Sequence, residues 1–395
     1  MLYLAIESSC DETSLAFLEY TPTDNDQNVD QSFYNKINSI KVISSIISSQ
    51  IDIHSQYGGV VPEIGAREHA EQIHGLFDIV LQEAMTKLSQ TKAQILGQLS
   101  AIMVTTEPGL MSALRVGLEF SKSLQFFVSQ NHNNYAQIIK VNHLKGHIFS
   151  SFYETIKVNY QQVDYNNQDI FPHLHLLVSG GNTQIRLLHS FDSWEIVGQT
   201  LDDACGECFD KTARMVGIPY PGGATVSRIA GLSLDNPLDL PIGMIKNKNL
   251  DISLSGLKTA VRYKVENKIK EGTIEGLEFE KPLSIQEIDS LKANNFEIDN
   301  TKLKFIQDIC ISTQIAIIKQ ITNKLELAIM TYKPKSLGLS GGVSANPLLR
   351  QEVHRLASKH SNKIVPKPTS VFIPDLSLTG DNAIMIGLAG ICELD

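Results

Sequence analysis

The chain of 395 residues is poor in tryptophan, with one, and in cysteine, with five: Cys10, Cys205, Cys208, Cys310 and Cys392. An odd number of widely scattered cysteines is not a disulfide framework and fits a reducing compartment. Long apolar runs are also missing. Stretches such as Leu174–Val178 and Ile315–Ile318 fall far short of the roughly 20 residues that a spanning helix needs. No basic segment and no Arg/Ser-rich amphipathic stretch precedes the apolar run Leu2–Ile6, so no export or organelle address is expected and the expected location is the cytoplasm. Positive charge is in deficit too. A formal net charge of −9 argues against an indiscriminate binder of polyphosphates, which needs local positive potential. The deficit is uneven: residues 245–270 hold seven basic side chains against Asp251 and Glu266, whereas residues 271–300 hold eight acids against Lys281 and Lys292. The basic stretch reads either as a solvated face or as a nucleic-acid patch.

What is present is α/β alternation. A hydrophobic content of 42% over this length predicts two domains of roughly 100 to 200 residues each. Leu2–Glu7 reads as a strand, followed by a turn of small polar residues and a second apolar segment, Leu15–Leu18. Ala70, Ile73, Phe77, Val80, Leu81, Ala84 and Leu88 recur at helical steps and predict an amphipathic helix over 67–88. A buried strand over 101–105 and a helix over 111–130 follow, and a long helix marked by Ile306 to Ala328 precedes a strand at 336–339. The polar stretches 21–41 and 160–168 read as loops or insertions.

Several motifs could carry chemistry. Two strands end in Ser-Gly-Gly, at Ser179-Gly180-Gly181 and Ser340-Gly341-Gly342, where unobstructed backbone N–H groups admit a phosphate or a sugar. The second runs into a helix, whose N-terminus favours anions. Together with the Ser/Thr/Asp turn after the first strand, these turns suggest two duplicated lobes around a nucleotide. His143 and His147 are four residues apart and fall on one helix face, which leaves two readings open: a shared metal, or histidines without one. Leu144 stands where a zincin peptidase has its glutamate, which disfavours that activity. Asp202, Asp203, Glu207 and Asp210 crowd beside Lys211, either as groups for substrate hydroxyls or as an acidic helix start. Cys205 and Cys208 form a lone C-x-x-C, read as packing residues in preference to a redox pair or half a zinc site.

Taken together, these segments resemble the threonylcarbamoyl transferase subunit family that makes N6-threonylcarbamoyladenosine in tRNA, formerly labelled O-sialoglycoprotein endopeptidases. The resemblance runs through Ala5–Thr13, Gly58–Glu63, Arg67–His69, Thr105–Gly117, His143–His147, Val178–Gln184, Thr200–Lys211, Tyr220–Gly223, Ser253–Thr259, Gly341–Asn346 and Asp381–Ala383. It implies an actin/Hsp70-like (ASKHA) α/β fold of two duplicated lobes around an interdomain nucleotide cleft. The lobes are expected at 1–141 plus 377–395 and at 142–376, the latter with a helical insertion around 245–305. The resemblance implies that His143, His147 and Asp381 hold one divalent metal ion per subunit, iron or else zinc. It also implies that Leu177, Val178, Ser179, Gly180, Gly181, Asp210, Gly223 and Asn346 contact the adenylate, and that Asp11 and Glu12 stand near the reacting carbonyl.

The implied reaction moves a threonylcarbamoyl group from threonylcarbamoyl-adenylate to N6 of adenosine 37 in tRNAs reading codons that begin with A, releasing AMP. An exocyclic amine is a poor nucleophile, so a Lewis acid and a pre-placed leaving phosphate suit the chemistry, with Asp11 or Glu12 as proton acceptor. A non-catalytic paralogue and a small ATPase are the expected partners, with tRNA and without a membrane; RNA is expected to meet either a local basic patch within Lys246–Lys270, Lys258 and Arg262 included, or partner proteins. Four positions depart from the family pattern: Lys145 for glutamate, Asn182 for histidine, Ser227 for aspartate, and Thr379-Gly380 for Cys-Thr. The rival readings are an ATP-dependent kinase or ATPase of the same fold and a non-catalytic assembly subunit.

Overall fold

Leu2–Glu7 (β1) has all six residues buried, and a strand covered on both faces is the reason for its unbroken apolar run. The computed structural model describes residues 1–22, 32–132, 134–159, 170–234, 237–295, 300–360 and 371–394. They divide into a first unit, Met1–Asp169 with Ile373–Asp395, and a second, Ile170–Phe372.

In the first unit β1 is followed by Glu12–Glu19 (β2), the helix Ser32–Ser39 (α1), Lys41–Ser49 (β3), and the helices Ile51–Ser55 (α2), Pro62–Leu88 (α3) and Lys92–Gly97 (α4). Then come Leu99–Glu107 (β4), Met111–His132 (α5), Gln137–Asn142 (β5) and His143–Asn159 (α6). The sheet order is β3-β2-β1-β4-β5, antiparallel from β1 through β2 to β3 and parallel from β1 through β4 to β5. Ile73, Phe77 and Val80 of α3 and Phe120 and Leu124 of α5 bury one face of this sheet with Leu4, Ile6, Leu15 and Phe17.

The second unit runs through His173–Val178 (β6), Thr183–Leu188 (β7), Trp194–Gln199 (β8), the helices Cys205–Met215 (α7), Gly223–Ala230 (α8), Ser255–Glu271 (α9), Ile285–Ala293 (α10) and Thr301–Tyr332 (α11). Ser336–Ser340 (β9), Pro347–Lys359 (α12) and Val371–Phe372 (β10) complete it, and Ala383–Cys392 (α13) returns to the first unit. Its sheet order is β8-β7-β6-β9-β10, with the same pattern of antiparallel and parallel neighbours. The two units are therefore topological duplicates, as the actin/Hsp70-like α/β fold requires.

Two differences from the sequence reading have physical causes. The first lobe was expected to end at 141, but the first unit extends to Asp169 and so keeps α6. This helix packs against α13 so closely that a Cβ on Gly146 would stand 3.0 Å from Ile386 Cδ1 and 3.1 Å from Met385 Cγ. The second concerns the loop expected over 21–41. Within its described part α1 is a helix, anchored by fully buried Ile37 and followed by fully buried Ile40. The loop expected over 160–168 lies outside the described residues.

Candidate functional site

In the first unit, β5 delivers the chain directly into α6, whose first turn is capped by Asn142 Oδ1 accepting from the Lys145 amide at 3.1 Å. Four-residue spacing on that helix stacks the His143 and His147 rings edge to face, with centroids 4.7 Å apart. Asp381 lies just before α13, next to Asn382, which caps that helix by accepting from the Met385 amide at 3.0 Å. Its Oδ1 stands 3.4 Å from His143 Nε2 and 3.1 Å from His147 Nε2. One ligand atom from each of the three side chains falls within 4.8 Å of the other two. His147 is fully buried, and neither of its ring nitrogens makes a hydrogen bond among the described residues. A buried imidazole nitrogen 3.1 Å from a carboxylate oxygen, yet off its hydrogen-bonding direction, is an arrangement that a shared cation would satisfy. The donor set, two imidazoles and one carboxylate, fits iron or zinc chemistry.

Behind His143 lies a buried acid. Glu7, at the end of β1, is fully buried; its carboxylate accepts from the Ser9 amide and the Thr105 hydroxyl, each at 2.5 Å, and sits 3.1 Å from His143 Nδ1. Ser9 Oγ also lies 3.1 Å from Nδ1. With Nδ1–H donated to Glu7, the Nε2 lone pair is left on the Asp381 side, the arrangement that orients metal-ligating histidines. Burial alone would lower the His143 pKa, but Asp381 and Glu7 outweigh it and raise it to about 9. Burial would raise the Asp381 carboxyl, yet His143 and His147 hold it down at about 2. Glu12 is pushed up to about 10, first by burial and then by Asp381 and Asp11, so in the absence of a cation it carries a proton. The same pressure keeps Cys10 a thiol, far above its ordinary range.

A separate pocket of about 530 Å³ lies in the second unit. The β6–β7 turn is closed by the Ser179 amide donating to Asn182 O at 2.8 Å and by Ser179 Oγ accepting from the Asn182 amide at 3.1 Å. The second Ser-Gly-Gly follows β9, and Gly341 adopts φ +90° there. Asp210 Oδ1 accepts from the amides of Gly222 and Gly223, both at 2.8 Å, which sets the start of α8. Asn346 caps α12 through the Leu349 amide at 3.0 Å and donates Nδ2 to Gln314 Oε1 at 2.7 Å. Gly180, Asp210, Gly223 and Asn346 of the expected adenylate contacts line the pocket; Leu177, Val178, Ser179 and Gly181 do not. Leu177 and Val178 are fully buried side chains of β6, spent on the sheet core.

The acidic run beside this pocket is largely structural. Asp202 accepts from the hydroxyls of Ser253 and Ser255 and from the amides of Leu254 and Ser255 at the start of α9. Asp203 pairs with Lys211 at 2.6 Å and with Lys258 at 2.9 Å. Lys258 and Arg262, expected to face RNA, are thus occupied, since Arg262 pairs with Glu266 at 2.7 Å. Cys205 and Cys208 are buried, free thiols, and burial pushes Cys208 up to about 12.

A family model described as tRNA N6-adenosine threonylcarbamoyltransferase matches residues 41–388. The chain belongs to that family. Relatives bearing the same name include one from Carboxydothermus hydrogenoformans, 35% identical over 98% of this chain and 90% of its own length. A second, from Thermosipho africanus, is 33% identical over 99% and 93%, and a third, from Francisella philomiragia, is 35% identical over 99% and 93%. Among solved structures, component A of the (R)-2-hydroxyglutaryl-CoA dehydratase of Acidaminococcus fermentans aligns with a TM-score of 0.46 at 10% identity, covering 99% of this chain and 96% of that one.

Within the tRNA N6-adenosine threonylcarbamoyltransferase pattern, the four departures have visible surroundings. Lys145 Nζ pairs with Glu393 at 2.5 Å. Ser227 lines the pocket and its hydroxyl accepts from Asn346 Nδ2 at 2.9 Å. Asn182 serves the β6–β7 turn through its backbone, and Thr379 Oγ1 donates to Leu376 O at 2.9 Å one turn before Asp381. None displaces a member of the His-His-Asp group. Glu7 and Thr105 were missed as supports of that group; the one available signal was an acid closing the apolar run of β1.

Proposed function

We propose that this chain is an acyltransferase that moves the threonylcarbamoyl group of threonylcarbamoyl-adenylate to N6 of adenosine 37 in tRNAs reading A-starting codons, giving threonylcarbamoyladenosine and AMP. The observation that carries the reading is the convergence of His143, His147 and Asp381, in a family member matched over residues 41–388. In that reading the three side chains hold one divalent ion, iron or zinc, which supplies Lewis acidity toward a carbonyl or phosphoryl oxygen. Glu7 fixes the His143 tautomer through Nδ1. The pocket lined by Gly180, Asp210, Gly223 and Asn346 takes the adenylate. Glycine there lets backbone amides approach the phosphate, and the α12 N-terminus, which follows the second glycine turn, favours its charge.

The reacting amine loses a proton as its nitrogen bonds to the carbamoyl carbon and the anhydride oxygen leaves with AMP. Asp11 and Glu12 are the carboxylates that we assign to this step, either one being able to accept the proton. No helix of the described residues is long and apolar enough to cross a membrane, and we place the enzyme in the cytoplasm with a non-catalytic paralogue and a small ATPase as partners. The rival kinase reading is not favoured, because magnesium with phosphates prefers oxygen ligands to imidazoles. The test is nucleoside mass spectrometry of tRNA from cells depleted of this protein and lacking a second copy. Threonylcarbamoyladenosine should fall with depletion; an undiminished level refutes the reading.

A further inference from the structure

Two histidines that the proposed reaction leaves unused lie inside the β6–β9 strand pair of the second unit. The parallel register sets His173 beside Ser336, His175 beside Gly338 and Leu177 beside Ser340. Alternate residues share a face, so both imidazoles and both hydroxyls lie on the same side of the sheet. All four residues are at most 1% exposed. Gly338 makes room for the rings: a Cβ there would stand 2.2 Å from His175 Nδ1 and 2.5 Å from His173 Nε2.

The four side chains are linked end to end. Ser340 Oγ is 2.8 Å from His175 Nε2, His175 Nδ1 is 3.1 Å from His173 Nε2, and His173 Nδ1 is 2.6 Å from Ser336 Oγ. Ser336 Oγ in turn donates to Ile170 O at 2.8 Å. A carbonyl cannot donate, which fixes the direction at the Ser336 end, and neutral rings carry that direction along the chain. The single Ser336 proton goes to Ile170, and Ser336 therefore accepts from His173 Nδ1–H. His173 Nε2 then accepts from His175 Nδ1–H, and His175 Nε2 accepts the Ser340 hydroxyl proton. This direction holds with both rings neutral, and burial pushes His173 down to about 3.

The chain ends at a functional place. Ser340 immediately precedes Gly341, and a Cβ on Gly341 would stand 2.3 Å from Val178 O, so the second glycine turn rests directly on the end of β6. We propose that His173 and His175 are positioning residues for the nucleotide pocket, fixing the Gly341-Gly342 turn through Ser340. This rests on the reading of that pocket as the adenylate site. The imidazoles touch no reacting atom; they hold the end of β9 in one register against β6, where backbone pairing alone would leave the last side chain free to turn.

Calorimetric titration of the full-length protein with AMP tests this. His175→Leu breaks the chain. His175→Gln restores it, since a carboxamide oxygen accepts from Ser340 while its NH2 donates to His173. The expected result is about five- to tenfold weaker AMP binding by the leucine variant, with most of the loss recovered by glutamine. Wild-type affinity in the folded leucine variant overturns the proposal, as does a glutamine variant no better than leucine. Failure of the wild type to bind AMP at all sinks the adenylate reading of the pocket, and the positioning role with it. If the leucine variant does not fold, imidazole 15N chemical shifts of the wild type decide: both rings as neutral Nδ1–H tautomers support the chain, and an Nε2–H tautomer at either position overturns it.

Discussion

Gly341→Ala is the sharpest perturbation of the second glycine turn. Gly341 sits at φ +90° and ψ 163°, a region that is essentially glycine-only and costs other residues about 1–3 kcal/mol. The added Cβ would also meet Val178 O at 2.3 Å, Val178 C at 2.7 Å and Ser179 N at 3.2 Å. The nearest of these is 0.7 Å short of the 3.0 Å that real Cβ contacts respect, and every one is backbone, so no side-chain rotation relieves it. Overpacking of this kind adds about 1–3 kcal/mol. The sum predicts a destabilisation of about 2–6 kcal/mol and a displaced turn. Gly342→Ala is the internal control. Its Cβ meets nothing within 4 Å, and its φ is not positive, so its stability should stay within about 0.5 kcal/mol of wild type. Urea unfolding of both variants reads the difference, and AMP titration reads the displaced turn. Equal midpoints for the two alanine variants would refute the strain argument, and with it the claim that this turn is braced on the end of β6.

The metal site and the buried histidine chain make two further predictions. Purified protein should carry about one iron or zinc per chain by plasma mass spectrometry, His147→Ala should carry none, and Glu7→Gln should lower metal affinity in a chelator competition about 10- to 100-fold; retention by His147→Ala or unchanged affinity in Glu7→Gln contradicts the assignment. His173 titrates near 3 folded, pushed down by burial, against about 6.5 unfolded, so below about pH 6.5 the unfolded chain binds the extra proton. Its contribution is complete above that pH and is lost as pH falls toward 3, at up to about 1.4 kcal/mol per pH unit. Urea midpoints of the wild type should therefore fall more steeply than those of His173→Gln between pH 7 and 4; parallel curves overturn the neutral, buried assignment.

The sequence carries different parts of this architecture with unequal clarity. Helices α3 and α5 announce themselves because each buries one stripe against a sheet, which leaves a 3.6-residue period, whereas α11 shows as a long apolar helix buried nearly all round from Ser312 to Leu325. The two imidazoles of the His-His-Asp group are brought to one helix face by a spacing of four, which leaves open whether they share a metal. Asp381 is not legible in this way, since a carboxylate hundreds of residues away has no local signature, and only the family resemblance supplies it. Strand β6 is legible as an apolar strand despite its two histidines. Its sequence, HLHLLV, alternates like a half-exposed strand, yet all six positions are buried, because Ser336 and Ser340 on β9 satisfy the histidines. Helix α1 hides in a polar stretch because, among its described side chains, only Ile37 is fully buried.

Lys145 shows why a charge change on α6 leaves the His-His-Asp group intact. It stands two residues from each of the two histidines, and on a helix that places it on a different face from the one they share. Its ammonium reaches Glu393, just past the end of α13, at 2.5 Å, with the two side chains 13% and 30% exposed. The positive charge is thus met by an acid at the C-terminal end of a helix, where a cation is also favoured by the helix dipole. Asp381 sits at the other end of the same helix. A glutamate at 145, as in the family pattern, would face Glu393 as a like charge. The lysine and Glu393 are therefore complementary in this chain, and the pair fastens α6 to α13, the two helices whose crossing sets the distance between the imidazoles and the Asp381 carboxylate.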